Sequence, residues 1–196
     1  MRVGLFGGTF NPPHLGHRVI AEQAVEALGL SRLIWMPARQ SPLKDAAAQV
    51  SAAHRLAMTS LCSADHPAFV VSDLEIGRPP PSFTVDTVAL LAADHPDWDL
   101  HLLIGEDSWQ SFDLWREPER ILSLARVAVY PRGAAETETG AGPAGSRSAT
   151  VIPSPRLDIS STEIRRRLRT AEPVAGLVSK DVLDYIRAHE LYVLPA

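Results

Sequence analysis

Hydrophobic and polar positions follow one another along the chain in two patterns, one typical of buried strands and one typical of amphipathic helices. Short and continuously apolar runs predict strands, whereas apolar residues spaced three or four apart predict helices. The first pattern predicts strands at residues 2–6, 32–37, 69–74, 99–105 and 126–131, and one more at 149–154. The second pattern predicts helices at residues 15–28, 51–62, 84–93, 117–125, 160–169 and 179–189.

The order of these elements indicates the fold class. Parallel neighbouring strands need a crossover connection, and a helix between two strands supplies it. We therefore expect an α/β fold, a Rossmann-like open parallel sheet with helices on both faces and a small C-terminal helical part at about residues 158–196. Ligands of such sheets bind beyond the carboxyl ends of the strands, where the strand order reverses. Residues that directly follow strands are therefore the first candidates for a functional site.

Length and composition restrict the class of protein. We expect residues 1–196 to form one domain, since a domain has roughly 150 residues. Hydrophobic residues make up 45% of the chain and charged residues 21%, which is typical of a globular protein. The net charge of -4 argues against nucleic acid as a partner. No apolar run has the length of a membrane span or of a signal-peptide core, so we expect no membrane partner and a cytoplasmic location.

Two further features of the chain are interpreted as structural. Cys62 lies in an apolar helical pattern, and a single cysteine cannot form an internal disulfide, so we interpret it as a core residue. Residues 132–149 contain almost no large apolar side chain, which favours a mobile surface loop.

The stretch GGTFNPPHLGH lies between the first predicted strand and the first predicted helix. It has neither the G-x-G-x-x-G of a dinucleotide site nor the Gly-Lys-Ser/Thr ending of a P-loop. Gly7 and Gly8 allow the backbone to pass close to a ligand, and the two prolines that follow hold a rigid turn. His14 and His17 then lie on one face of the helix start, where unpaired N–H groups favour an anion. Two imidazoles at that place can donate hydrogen bonds to phosphate oxygens.

Two other interpretations of the histidine pair stay open at this point. One is a zinc site, although two histidines are too few ligands and no cysteine or acidic residue stands nearby. The other is a purely structural role in the loop. We expect no protein-bound metal at these residues.

A second candidate anion site is the stretch DISSTEIRRRL near the end of the chain. Ser160 and Glu163 have the spacing of a capping box, which places the N–H groups of Ser161 and Thr162 in the first helical turn. Arg165 follows one turn later. Taken alone, this pattern favours a well-capped surface helix with a basic face. Beside the first stretch, it favours phosphate binding.

These two stretches resemble the two signatures of the nucleotidyltransferase superfamily. His14-Leu15-Gly16-His17 matches the His-x-Gly-His core, and ISSTEIR resembles the signature that holds the ATP phosphates. Nearly the whole chain is similar to the bacterial nicotinate mononucleotide adenylyltransferases. The matching features there are the Pro-rich loop at 36–44 ending in Lys44, Ser82-Phe83-Thr84 followed by Asp86-Thr87, Gly105-x-Asp107, and Trp115 eight residues later. Two departures are Asn11, where the family often has Asp, and Leu43, where it often has His.

The resemblance implies that the adenylyl group of ATP is transferred to nicotinate mononucleotide, giving nicotinate adenine dinucleotide and pyrophosphate in NAD biosynthesis. It implies Mg²⁺ as the ion that accompanies ATP. The residues that it implies as catalytic are His14, His17 and Arg165. Those that it implies for ATP are Gly7, Gly8, Thr9, Phe10, His14, His17, Gly105, Asp107, Ser161, Thr162 and Arg165. Those that it implies for the second substrate are Lys44, Thr84 and Trp115.

Other functions remain as alternatives. Pantetheine phosphate adenylyltransferases and glycerol phosphate cytidylyltransferases share the first signature but are shorter and lack the PSFTVDT and LW features. A sensor that binds nucleotides without turnover should show an added DNA-binding or partner segment, and the sequence shows no such pattern. The oligomeric state is not determined by the sequence, and a homo-oligomer stays open.

Overall fold

The computed structural model describes residues 1–40, 50–131, 149–153, 155 and 157–193. Its strands are β1 (Arg2–Gly8), β2 (Arg32–Pro37), β3 (Phe69–Val71), β4 (Asp99–Gly105), β5 (Arg126–Tyr130) and β6 (Thr150–Val151). Its helices are α1 (Leu15–Leu28), α2 (Ala52–Ser63), α3 (Thr84–Asp94), α4 (Glu106–Gln110), α5 (Pro118–Leu124), α6 (Ser161–Arg169) and α7 (Lys180–Ala188). A single 3₁₀ turn at Phe112–Leu114 follows α4.

The six strands form one parallel sheet in the order β3-β2-β1-β4-β5-β6. The order reverses at the centre, where β1 has β2 on one side and β4 on the other. Leu5 lies opposite Leu102 and Phe6 opposite Leu103, so β1 and β4 end at the same edge of the sheet. The predicted Rossmann-like α/β fold is confirmed, and its switch point lies between these two strands.

Alternate side chains of the central strands pack into two cores, one on each face of the sheet. Phe6 and Trp35 belong to the core that also contains apolar residues of α1, α2, α6 and α7. Leu5 and Leu102 belong to the second core, which contains residues of α3 and α5. Helices therefore cover both faces, as the sequence predicts.

Two helix ends coincide with residues that are typical caps. The Ser51 hydroxyl accepts a hydrogen bond from the His54 N–H at 3.3 Å and caps α2. Gly29 ends α1 in the left-handed conformation with a φ of 59°. Cys62 is fully buried, as predicted, and burial raises the pKa of its thiol to about 12.

The sequence pattern misses the short helix α4 and the 3₁₀ turn after it, because elements of five and three residues are too short to show a helical period. β3 and β6 are also shorter than predicted. Residues 41–49 and 132–148 lie outside the described residues, so neither Lys44 nor the predicted surface loop is tested. Among the described segments, no helix has the length and apolar character needed to cross a membrane.

Candidate active site

The two glycines at the carboxyl end of β1 differ in the space around them: Gly7 faces open space, whereas the ring of Phe10 lies against Gly8. A Cβ atom added to Gly7 would meet nothing within 4 Å, whereas one added to Gly8 would lie 2.9 Å from Cζ of Phe10. Phe10 is 2% exposed and has a φ of 47°, a left-handed conformation that is strained for a bulky side chain. The Phe10 ring packs edge-on against Phe6 and lies 5.4 Å from Trp35 between centroids. This packing holds the strained residue in place.

We expect alanine substitutions at the two glycines to differ in their effect on stability. Gly8→Ala should lower the free energy of unfolding by about 1–3 kcal/mol, because the new methyl group overlaps the buried ring of Phe10. Gly7→Ala should stay within about 0.5 kcal/mol of wild type, since its methyl group meets open space. Urea unfolding of both variants measures the difference. Equal destabilisation would contradict the difference in packing.

The two histidines at the start of α1 cap each other. The Nδ1 atom of His14 accepts from the backbone N–H of His17 at 3.3 Å, and Nδ1 of His17 accepts from the backbone N–H of His14 at 3.2 Å. The rings are stacked with centroids 3.6 Å apart, and both residues are buried. Because each Nδ1 accepts a hydrogen bond, the proton of each neutral ring lies on Nε2. Both histidines are thus set in the tautomer that donates from Nε2.

Gly16 allows this stacked arrangement. A Cβ atom added there would lie 3.0 Å from Nδ1 of His14 and 3.6 Å from Cβ of Ile159. The close approach to His14 therefore favours glycine between the two histidines, whereas the distance to Ile159 is an ordinary van der Waals contact.

The N-terminus of α6 lies on the turn formed by residues 11–14. The Ser161 hydroxyl donates to the carbonyl oxygen of Pro12 at 2.8 Å, and Nη1 of Arg165 donates to the carbonyl oxygen of Asn11 at 2.8 Å. A second nitrogen of the Arg165 guanidinium donates to the Thr162 hydroxyl at 3.2 Å. The two stretches singled out in the sequence, about 150 positions apart, therefore meet in space.

The capping of α6 differs in part from the sequence prediction. The Ser160 hydroxyl accepts from the Glu163 N–H at 3.2 Å, as expected. The Glu163 carboxylate, however, pairs with Arg166 and Arg167, and these pairs lower its pKa to about 2. The reciprocal capping box is found at His14 and His17 in α1, where the sequence does not predict one.

A second group of predicted residues lies at the N-terminus of α3. This helix begins at Thr84, as predicted, and the side chain of the preceding Phe83 makes no capping hydrogen bond. Arg116 stacks over the Phe83 ring at 4.8 Å and lies 3.5 Å from the Asp86 carboxylate. Trp115, the residue before Arg116, is therefore held next to this helix start.

The indole of Trp115 has a free polar atom. The ring packs against Phe112 with centroids 5.2 Å apart and is partly buried. Its Nε1 atom is buried and has no hydrogen-bond partner among the described residues. Trp115 thus offers both an aromatic surface and an unused donor.

Three hydrogen bonds connect the two groups across the end of β2. The Ala38 N–H donates to the carbonyl oxygen of Gly8 at 2.9 Å. The Arg39 N–H donates to the Ser82 hydroxyl at 3.1 Å, and the Ser82 N–H donates to the carbonyl oxygen of Gln40 at 2.9 Å. The glycine end of β1 and the start of α3 therefore lie on either side of one short segment.

The remaining predicted residues follow β4. Gly105 ends this strand and precedes α4, and Asp107 is exposed in the first turn of that helix. Since β4 is the neighbour of β1, both residues lie at the switch point of the sheet.

The sequence analysis did not identify Arg55, whose buried side chain holds backbone segments next to the site. Arg55 is 1% exposed, and its guanidinium donates to the carbonyl oxygens of Thr9 and Arg39 at 2.8 Å each and of Val50 at 3.4 Å. Burial lowers its pKa. An available signal was its place on the apolar face of α2, in line with Met58 and Cys62, where a charged side chain needs a special reason.

The fold and this site define a class of protein that binds nucleotides at the switch point of a parallel sheet. A family model described as cytidylyltransferase-like matches residues 5–167. The solved structure of Plasmodium falciparum nicotinic acid mononucleotide adenylyltransferase complexed with NaAD is similar to this chain, with a TM-score of 0.81, 18% identity and coverage of 97% of each chain. At that identity the likeness shows the fold.

Two curated relatives define the family more narrowly. A protein of Gemmatimonas aurantiaca is 44% identical over 199 residues, covering 98% of this chain and 92% of its own. A protein of a Synechococcus species is 39% identical over 198 residues, covering 99% of this chain and 96% of its own. Both are named "Probable nicotinate-nucleotide adenylyltransferase". The chain belongs to the nicotinate-nucleotide adenylyltransferase family, a group of nucleotidyltransferases, so the predicted family is confirmed.

Proposed function

We propose that the phosphate of nicotinate mononucleotide attacks the α-phosphorus of ATP at this site, giving nicotinate adenine dinucleotide and pyrophosphate. The observation that carries the proposal is the contact between the N-terminus of α6 and the 11–14 turn, which leads into the stacked histidine pair. It places two imidazole donors, two hydroxyls and one guanidinium around one short turn. In-line displacement needs no protein nucleophile, because the attacking phosphate is already charged.

The histidine pair would act on the α-phosphate. Nδ1 of each ring is occupied by a backbone N–H, so Nε2–H is the donor that His14 and His17 can offer to an oxygen where charge develops. The fixed stacking means that little reorganisation is needed at the moment of reaction. Gly7, Gly8, Thr9 and Phe10 would line the nucleotide through backbone atoms, and Gly105 and Asp107 would contact its ribose or adenine.

The start of α6 would hold the β- and γ-phosphates. Ser161 and Thr162 lie in its first turn, where N–H groups favour an anion, and Arg165 lies on the same side of the helix. Arg166 and Arg167 are excluded from this role, since their charges are already paired with acidic side chains on the exposed face. Lys44 stays a proposed phosphate contact from the sequence alone.

Mg²⁺ would come with ATP. No three His, Cys, Asp or Glu side chains cluster as a metal site in the described part of the chain. An ion held by ATP phosphates and water, the usual arrangement for Mg²⁺, would need few ligands from the protein. The ion would offset charge on the phosphate oxygens, while the protein residues orient the two substrates.

The nicotinate ring would lie between Trp115 and the start of α3. Stacking on an aromatic side chain is worth about 1–3 kcal/mol per base in nucleic-acid complexes, and a pyridine ring is a similar partner. Stacking cannot separate the acid from the amide, because the two rings are alike. No side chain caps the start of α3, and the N–H groups of Thr84 and Val85 in its first turn suit a carboxylate and oppose an amide NH₂. We therefore expect a preference for the acid.

Thr84→Pro should reduce this preference by removing a single N–H donor. Proline is tolerated at the first position of a helix, and Phe83 already has the extended conformation that proline requires before it, with φ -91° and ψ 132°. The helix should therefore form as before. The ratio of kcat/KM for the two mononucleotides should fall toward one by roughly tenfold, as expected for a charge-assisted hydrogen bond.

Two matched variants separate donor loss from other effects. Thr84→Ala retains the N–H and should keep the wild-type ratio. Trp115→Ala removes the stacking surface and should weaken both mononucleotides to a similar extent. A wild-type ratio near one would contradict acid specificity and indicate an enzyme of dual specificity.

The reaction itself is tested by release of pyrophosphate from ATP and nicotinate mononucleotide. Turnover is the expected result, with nicotinate adenine dinucleotide formed in equal amount. Binding of both compounds without turnover would instead support the sensor alternative.

A further inference from the structure

We propose that Tyr192 is a positioning residue for the reaction, which acts through Asn11 to hold the 11–14 turn that ends in the histidine pair. The inference rests on the proposed role of that pair at the α-phosphate. Tyr192 lies beyond α7 and belongs to neither signature of the superfamily.

The contact joins the C-terminal segment directly to the turn. The Tyr192 hydroxyl donates to Oδ1 of Asn11 at 2.8 Å, and the Val50 N–H approaches the same oxygen at 3.5 Å. The backbone oxygen of Asn11 meanwhile accepts from Arg165. Asn11 is 4% exposed, so both ends of this residue are held by distant parts of the chain within the protein interior.

The 11–14 turn needs such a contact because the residue before it, Phe10, has a strained backbone conformation. Phe10 has a φ of 47°, a conformation that persists only where the surroundings hold it. Pro12 and Pro13 follow Asn11, and their φ angles are fixed by the proline rings. Because these two residues cannot easily adjust, a displacement of the Asn11 backbone also displaces His14. Misplacement of a reacting group by about 1 Å can cost about a hundredfold in rate. Loss of the hydrogen bond between Tyr192 and Asn11 should therefore lower the catalytic rate.

The environment keeps the Tyr192 hydroxyl in its donating form. Burial raises the pKa of the phenol well above its usual value, although the nearby charges of Arg55 and Arg165 act in the opposite direction. The hydroxyl thus retains its proton at neutral pH and donates it to Oδ1 of Asn11. The ring itself is partly buried and packs against the core that contains Phe6 and Trp35.

Tyr192→Phe tests the hydroxyl alone, because phenylalanine keeps the ring in the core. We expect kcat to fall about five- to tenfold, on the scale of one neutral hydrogen bond, with KM for each substrate changed by less than about twofold. Tyr185→Phe is the matched control. The Tyr185 hydroxyl lies 3.0 Å from Nδ1 of His54, on the α2 and α7 surface, and its loss should leave kcat unchanged.

Substitutions of Asn11 show whether Tyr192 acts through that residue. Asp retains an acceptor oxygen, so Tyr192→Phe should still lower kcat in an Asn11→Asp background. Ala removes the acceptor, so Tyr192→Phe should then cost nothing further. Wild-type kcat in Tyr192→Phe, or the same cost in the Asn11→Ala background, would overturn the proposal.

A measurement without turnover keeps the inference separate from the proposed function. In ¹⁵N-labelled protein, Tyr192→Phe should shift the imidazole signals of His14 and His17, whereas Tyr185→Phe should shift those of His54. Unmoved His14 and His17 signals would overturn the positioning role even if Asn11→Ala does not fold. If the signals move but pyrophosphate release is unaffected by loss of His17, the contact stands and the proposed function fails.

Discussion

His17→Ala should lower kcat by roughly 10² to 10³ while the protein remains folded. The substitution removes a donor aimed at charge that develops in the transition state, and a single donor of that kind is worth about this factor. It also removes the acceptor for the His14 backbone N–H, a capping loss of about 1 kcal/mol in the free energy of unfolding. Steady-state rates of pyrophosphate release, measured with urea unfolding, separate the two effects.

His189→Ala is the control for this result. His189 is exposed at the end of α7, and its loss should leave kcat at the wild-type value. Near wild-type turnover in purified His17→Ala would show that the pair serves only to cap α1.

Arg165→Ala should raise KM for ATP about tenfold or more, with a much smaller change in KM for nicotinate mononucleotide. Arg165 is part-buried, burial lowers its pKa, and no carboxylate is paired with it among the residues that the structure describes. A cation held there without a counter-charge gains from a phosphate, and a charge-assisted hydrogen bond is worth about 1.5–3 kcal/mol.

Arg166→Ala offers a matched comparison on the adjacent position of α6. Its guanidinium is exposed and is paired with Glu163 and Glu172, so both Michaelis constants should stay at wild-type values. An equal rise in both constants for Arg165→Ala would instead place Arg165 away from the ATP phosphates and assign it to the support of the Asn11 carbonyl oxygen.

Local sequence patterns predicted most of the secondary structure. The predicted strand at 99–105 has the same bounds as β4, and the predicted helix at 15–28 has the same bounds as α1. Such elements depend on periods and caps that extend over a few neighbouring residues, as at Ser51 and Gly29. The sequence pattern did not predict α4 and the 3₁₀ turn, because both are too short to show a helical period. The burial of Trp109 and Phe112 holds them in place.

The residue types of the site were also evident in the sequence. His14, His17 and Arg165 stand in short stretches whose glycine, proline and capping residues have recognisable offsets. Their chemistry follows from residue type, because imidazole and guanidinium are donors suited to phosphate oxygens. The catalytic roles of these residues remain proposals that the variants above test.

Only the tertiary structure decided how the site is assembled. The order of the strands places β1 beside β4, and the packing of α6 brings Arg165 to the carbonyl oxygen of Asn11, 154 positions away in the chain. The mutual capping of the histidines depends on ring orientations, which no residue pattern specifies.

The supporting residues show the same limit. Arg55 in α2 donates to the carbonyl oxygen of Thr9, and Tyr192 beyond α7 donates to the side chain of Asn11. Neither residue lies in a sequence motif that predicts its contact. The physical reason is that the side-chain period of a helix or strand extends over a few neighbouring residues, so a short stretch of sequence is enough to show it. A contact between distant segments exists only after chain topology and core packing have fixed their separation and direction.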